Sequence, residues 1–231
     1  MCGRYALVAT TEQLSIRFGA TPAAELPAVA PRYNIAPSQA NVVVTANSPR
    51  RLTTMRWGLV PAWAKEPRTG YSTINARVES VADKPAYRTP LRRQRCLVPA
   101  SAYYEWQAPP PGRGSQAKQP FCIQVREDGA DGGLFAFAGL YDIWRGPDGS
   151  ELHSYAILTT AANPLLAAVH DRMPVILPRA AEAAWLDPAI TEPEVLLRLL
   201  QPYPAASMRA YPVSFAVNDP THDGPALWQA R

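Results

Sequence analysis

Seven apolar and β-branched runs, none longer than eleven residues, are spaced along this chain between stretches rich in proline, glycine and polar residues. They cover residues 41–46, 52–60, 96–106, 121–125, 134–144, 155–160 and 174–177. Runs of this length and composition read as strands. Helical spacing is confined to 11–18, closed by Gly19, and to 164–169, 179–186 and 192–200, the last entered through Thr191 as N-cap with Pro193 in the first turn. Strands dominate and do not alternate regularly with helices. The pattern therefore predicts an α+β fold: a single domain over 1–231 with a largely antiparallel, barrel-like β core and a few short peripheral helices. Clusters of proline and glycine at 109–114 and 129–133 each fall between two strand candidates, so they read as exposed hairpin loops rather than linkers.

Several classes of function are disfavoured at this level. No apolar run approaches the roughly 20 residues that cross a bilayer. The N-terminus has no basic stretch followed by an apolar one, so a cytoplasmic protein without a membrane partner is expected. A monomer is expected too. Cys2, Cys96 and Cys122 form an odd set without CxxC spacing, which predicts free thiols, no structural zinc and no other cofactor. The net charge is +4, and all but Lys65, Lys84 and Lys118 of the 23 basic residues are arginine. That balance permits polyanion binding without requiring it.

Four constellations could carry chemistry. In Met1-Cys2-Gly3-Arg4-Tyr5 the small second residue makes Met1 a target for removal. Its loss would leave Cys2 with an amine (pKa about 8) and a thiol (pKa about 8.5) on one residue, a pair that condenses with aldehydes to a thiazolidine. The plain alternative is a strand cysteine that packs as a small apolar group. Glu105 lies between Tyr104 and Trp106, where poor solvation would raise its pKa toward neutrality, or else it faces outward on an alternating strand. His170, in His170-Asp171-Arg172-Met173-Pro174, could move protons near neutral pH or simply sit at a helix C-terminus. Asn75, in Ile74-Asn75-Ala76-Arg77-Val78-Glu79, could orient a nucleophile or cap a short helix.

Taken with Arg32-Tyr-Asn-Ile-Ala-Pro, Trp57-Gly-Leu-Val-Pro and Cys96-Leu-Val-Pro-Ala, these segments resemble, in order from Cys2 to about Val217, the SOS-response-associated peptidase family. The resemblance implies that the chain captures abasic sites in single-stranded DNA through a thiazolidine on Cys2. It implies a proton-transfer role for Glu105, a hold on the Cys2 amine or the sugar by Asn75, and assistance by His170. Arg4, Arg77 and Arg172 would then grip phosphates flanking the lesion. Trp63 would stack on bases, with Ala64 standing where relatives often have a second aromatic, which implies a weaker wedge. Asn34 and Thr159 match positions near the DNA or the active site. The resemblance also implies a cytoplasmic protein that joins the nucleoid when bound to DNA. Two rival readings remain open: a thiol peptidase acting on peptide bonds, and a non-catalytic single-stranded DNA-binding domain.

Overall fold

The computed structural model describes residues 2–46, 49–67, 73–109, 117–127, 130–131 and 133–231. In chain order the described strands are β1 (Arg4–Leu7), β2 (Ala20–Pro22), β3 (Arg32–Ile35), β4 (Ala40–Thr45), β5 (Arg50–Trp57), β6 (Asn75–Arg77), β7 (Arg95–Ala100) and β8 (Ala102–Gln107). They continue as β9 (Gln119–Glu127), β10 (Ala130–Asp131), β11 (Phe135–Arg145), β12 (Glu151–Ala161), β13 (Arg172–Pro174), β14 (Ile176–Leu177) and β15 (Met208–Pro212). The described helices are α1 (Thr11–Phe18), α2 (Pro85–Arg93), α3 (Arg179–Leu186) and α4 (Pro193–Arg198). Met1 and the expected loop residues 110–114, 129 and 132 lie outside the described residues, and Ala130–Asp131 is a short strand paired with β9.

The expected barrel is present. Strands β12, β11, β7, β4 and β5 pair in that order, and β5 returns to β12 through the parallel pairs Arg56 with Ser154 and Trp57 with Tyr155. Closure satisfies the backbone groups that an open sheet would leave at its edges. A second sheet, in the order β9, β8, β1, β3, packs beside it, with β10 and β15 also paired to β9. The two are joined where the apolar run 96–106 bends at Ser101: β7 belongs to the barrel and β8 to the second sheet. Ser101 holds that bend by donating its N–H to the Ala6 carbonyl at 2.8 Å and accepting the Val8 N–H on its Oγ at 3.0 Å.

Aromatic rings fill the space between the sheets. Tyr5 meets Trp57 and Phe137 edge to face at 5.2 and 5.9 Å, and its hydroxyl lies 2.8 Å from that of Tyr155. Such contacts add about 1 kcal/mol each beyond area burial.

Several elements differ from the sequence expectation. Residues 164–169 form only one tight turn, Leu166–Ala168, which the Asn163 Oδ1 caps at its start by accepting the Leu166 N–H. The N-cap position of α4 is Glu192 rather than Thr191 and carries no side-chain capping bond; the Thr191 hydroxyl donates to the Glu192 carboxylate at 3.3 Å. Helix α2 escapes notice because Pro85 and Pro90 read as breakers. Its buried stripe of Tyr87, Pro90 and Leu91 nevertheless holds it against the barrel. No described helix is long and apolar enough to cross a membrane.

Gly139 in β11 sits where a neighbouring strand of the barrel wall approaches closely. A β-carbon there would sit 2.7 Å from the Cys96 Sγ and 2.9 Å from the Val98 Cγ2, both buried. Gly139→Ala is expected to lower stability by about 1–3 kcal/mol through overpacking, read as a lower denaturant midpoint at unchanged slope. A midpoint equal to the parent's would show that the wall yields.

Candidate active site

Cys2 enters on the lead into β1, whose register with β8 sets Arg4 opposite Tyr104 and Tyr5 opposite Tyr103. The residue has no exposed surface, and its thiol lies 3.8 Å from the Arg4 carbonyl. Asn75 meets it from the other side, donating from Nδ2 to the Cys2 carbonyl at 2.8 Å. Asn75 stands in strand β6, not at a helix start. Strand β6 runs parallel along β12 with Asn75 opposite Ile157, so the side chain is buried. The Asn75 Oδ1 is also buried and has no hydrogen-bond partner among the described residues, leaving an acceptor beside the Cys2 backbone.

Strand alternation puts Tyr103 and Glu105 on one face of β8, the face shared with Tyr5. Glu105 is therefore turned inward and is only 2% exposed. Burial pushes its carboxyl up to about 7. Burial, and after it the Glu105 charge, also raises the Cys2 thiol well above the ordinary thiol range. The same enclosure thus keeps the thiol protonated and brings the carboxyl to the edge of ionisation near neutral pH. The Tyr103 hydroxyl is fully buried without a partner, and its ionisation is opposed by burial first and then by the charges of Cys2 and Glu105.

His170 approaches from the segment between the 166–168 turn and β13. Gln107 of β8 ties that segment down, donating to the Ala168 carbonyl at 2.7 Å. The His170 Nδ1 lies 3.0 Å from the Arg172 N–H and 2.8 Å from an Asp171 carboxylate oxygen. One nitrogen cannot accept the first bond and donate the second at once. The neutral Nε2–H tautomer takes the Arg172 N–H, whereas a ring carrying its proton on Nδ1 would donate to Asp171. Burial favours the neutral form, pulling the imidazole below its usual value.

The remaining sequence-derived residues divide by exposure. Arg77 is exposed, at the end of β6 opposite Thr159. Arg172 pairs with Glu79 and with the Thr159 carbonyl. Thr159 itself is buried, its hydroxyl 3.5 Å from the Ala76 carbonyl. Asn34 has no exposed surface, and its amide holds the carbonyls of Val217, Asp219 and His222 at 2.9–3.2 Å. Arg4 joins that clasp through Asn34 Oδ1 and the Val217 carbonyl. Trp63 is 68% exposed on a turn closed by Ala64 N–H to Pro61 carbonyl. The turn is anchored from below by Asp142, which accepts the Ala62 N–H, and by Trp144, which donates to the Ala64 carbonyl, each at 2.8 Å. Sequence reasoning passed over Tyr103, Glu79 and Asp142. Glu79 lay within the quoted Asn75 segment, but its partner is 93 residues distant.

Two surface clefts open away from these residues. One is lined by Leu7, Val29, Ile35 and Val42, another by Glu25, Thr53, Met55 and His153. Among the described residues no three His, Cys, Asp or Glu side chains gather as a metal site would require.

Comparison with known proteins places this geometry in context. The family model described as SOS response associated peptidase matches residues 1–220. The chain is 42% identical over 233 residues to the abasic site processing protein YoqW of Bacillus subtilis, covering all of both chains. It is 32% identical to the abasic site processing protein HMCES of Xenopus tropicalis, over 87% of this chain and 66% of that one. A crystal structure of a Bacteroides thetaiotaomicron protein superposes with a TM-score of 0.84 at 26% identity, with full coverage of both.

Two predictions follow from the buried polar groups. Tyr103→Phe removes an unpartnered hydroxyl and is expected to raise stability by about 1 kcal/mol in denaturant unfolding; a loss would reveal a bond made by that hydroxyl. Glu105 titrates near 4.5 when unfolded and about 7 when folded, so the folded state holds its proton more tightly. Stability is then intact below pH 4.5 and falls as the pH rises through about 7. Glu105→Gln is expected to match the parent near pH 4 and exceed it by up to about 3 kcal/mol at pH 8. A difference independent of pH would sink this account.

Proposed function

Because this chain belongs to the SOS response associated peptidase family, we propose that it captures abasic sites in single-stranded DNA as a covalent adduct of Cys2. The observation that carries the reading is the enclosure of Cys2 with a carboxyl of pKa about 7 and with Asn75 on its carbonyl. The names of relatives from Bacillus and Xenopus support the abasic site as the substrate.

The chemistry begins with removal of Met1, a single self-directed cleavage that exposes the Cys2 amine. That amine attacks the aldehyde carbon of the ring-opened deoxyribose, and the carbinolamine loses water to give an imine. Glu105, titrating near neutrality, gives a proton to the departing hydroxyl. The Cys2 thiol then passes its proton toward Glu105, its sulfur bonds to the imine carbon, and the nitrogen takes up a proton to complete the thiazolidine. Acid-base assistance of this kind is worth about 10²- to 10⁴-fold in rate. Asn75 Oδ1 offers an acceptor for the new amine, and neutral His170 is suited to proton exchange with the sugar. Exposed Arg77 and Trp63 would take phosphate and base respectively.

The test is to incubate the chain lacking Met1, and its Cys2→Ala variant, with a single-stranded oligonucleotide bearing one abasic site, then separate the products under denaturing conditions. A shifted band is expected from the parent alone. A band from both would move the bond to another residue. No band from either, beside salt-dependent binding, would leave the chain a non-catalytic DNA-binding domain.

A further inference from the structure

The corner where β6 and β13 flank the end of β12 carries two guanidinium groups in opposite circumstances. Arg77 is exposed at the end of β6, and its charge, after that of Arg172, helps hold the Glu79 carboxyl below its usual value. Arg172 is only 14% exposed, and Glu79 fills its fork: Nη1 donates to Oε1 at 2.6 Å and Nη2 to Oε2 at 2.9 Å. A second Nη2 bond, to the Thr159 carbonyl at 2.7 Å, pins the guanidinium to the barrel independently of Glu79. The two oxygens of Glu79 thus occupy the positions that two non-bridging phosphate oxygens take on an arginine fork. Its side chain is 54% exposed, so the pair is reachable from solvent. The open carboxylate side exposes the pair to salt and to exchange with a competing anion that offers the same two oxygens.

We propose that Glu79 stands in for a backbone phosphate on Arg172 in the free protein, and so restrains binding of undamaged single-stranded DNA relative to an abasic strand. This rests on the capture function proposed above. An undamaged strand is held only by reversible contacts and must displace Glu79 to gain Arg172. An abasic strand pays the same displacement once and is then retained by a covalent bond, so the carboxylate penalises the two strands unequally. The Thr159 bond keeps Arg172 in place when Glu79 leaves.

The experiment uses Glu79→Gln, which keeps the shape and one hydrogen bond to Arg172 but removes the charge, beside Arg172→Gln and the double variant. Fluorescence anisotropy with an undamaged single-stranded oligonucleotide gives Kd across a salt series. Glu79→Gln is expected to bind about three- to tenfold tighter at low salt, with a salt slope steeper by about 0.7, as one added phosphate contact requires. Excess undamaged competitor should then suppress crosslinking to an abasic oligonucleotide more strongly than in the parent. The gain should vanish when Arg172→Gln is combined. Unchanged or weaker binding, no measurable binding by any chain, or a gain that survives loss of Arg172 would overturn the proposal. Failure of the parent to crosslink would instead overturn the capture function, while the anisotropy comparison still decides the role of Glu79.

Discussion

Strand β12 is hydrogen-bonded along both edges, and the site depends on that arrangement. Strand β11 runs along one edge from Glu151 to Ile157, where β13 takes over at Thr159–Ala161. On the other edge β5 closes the barrel at Ser154 and Tyr155, and β6 follows at Ile157–Thr159. The register fixes Asn75 and Arg77 on one side and brings Arg172, with His170 just before it, to the other. Side chains alternate with period two, so a slip of one residue in β6 would turn Asn75 away from Cys2. The pairing is enforced by the core, since the same strand buries Tyr155, Ala156, Ile157 and Leu158 completely.

Within this frame the site stores polarity where the protein is otherwise apolar. Cys2, Tyr103 and Glu105 are all buried, and Asn75 Oδ1 and the Tyr103 hydroxyl have no partners among the described residues. Folded proteins leave few such groups, because each costs about 1–3 kcal/mol of desolvation. Enclosure also keeps the thiol neutral and lifts the carboxyl into the neutral range, so its protonation responds to charge that enters the corner at Cys2.

Around the site, residues of similar sequence appearance do different work. Asn34 and Arg4 bind backbone carbonyls of 217–222 and so hold the C-terminal segment against β1 and β3. Trp106 reinforces the clasp by donating to Asn218 at 2.7 Å. Trp63 and Arg77, by contrast, face solvent on supports that are themselves buried: Asp142 beneath the Trp63 turn and Thr159 beside Arg77.

Much of this was legible beforehand where the signal is local. Alternating and apolar runs report burial directly, so the barrel strands and helices α1 and α3 follow from the residues themselves, as does the αL stop at Gly19, with φ of 58°. The motifs likewise marked Cys2, Asn75, Glu105 and His170. The short strands β1, β3, β6 and β15 carry too few residues for a pattern, and are strands only because a neighbour pairs with them. Asn75 shows the difference most clearly: its own segment suits a helix cap, and the edge of β12 makes it a strand residue aimed at Cys2. By itself, then, the sequence determined the fold class, the strand-rich core and the chemical groups available, because those depend on composition and short-range periodicity. The tertiary structure alone decided that Glu105 is buried and near neutrality, that Glu79 lies on Arg172, and that Asn34 faces inward. Each of those outcomes depends on partners far away in the chain, whose approach is set by barrel closure and strand register rather than by adjacent residues.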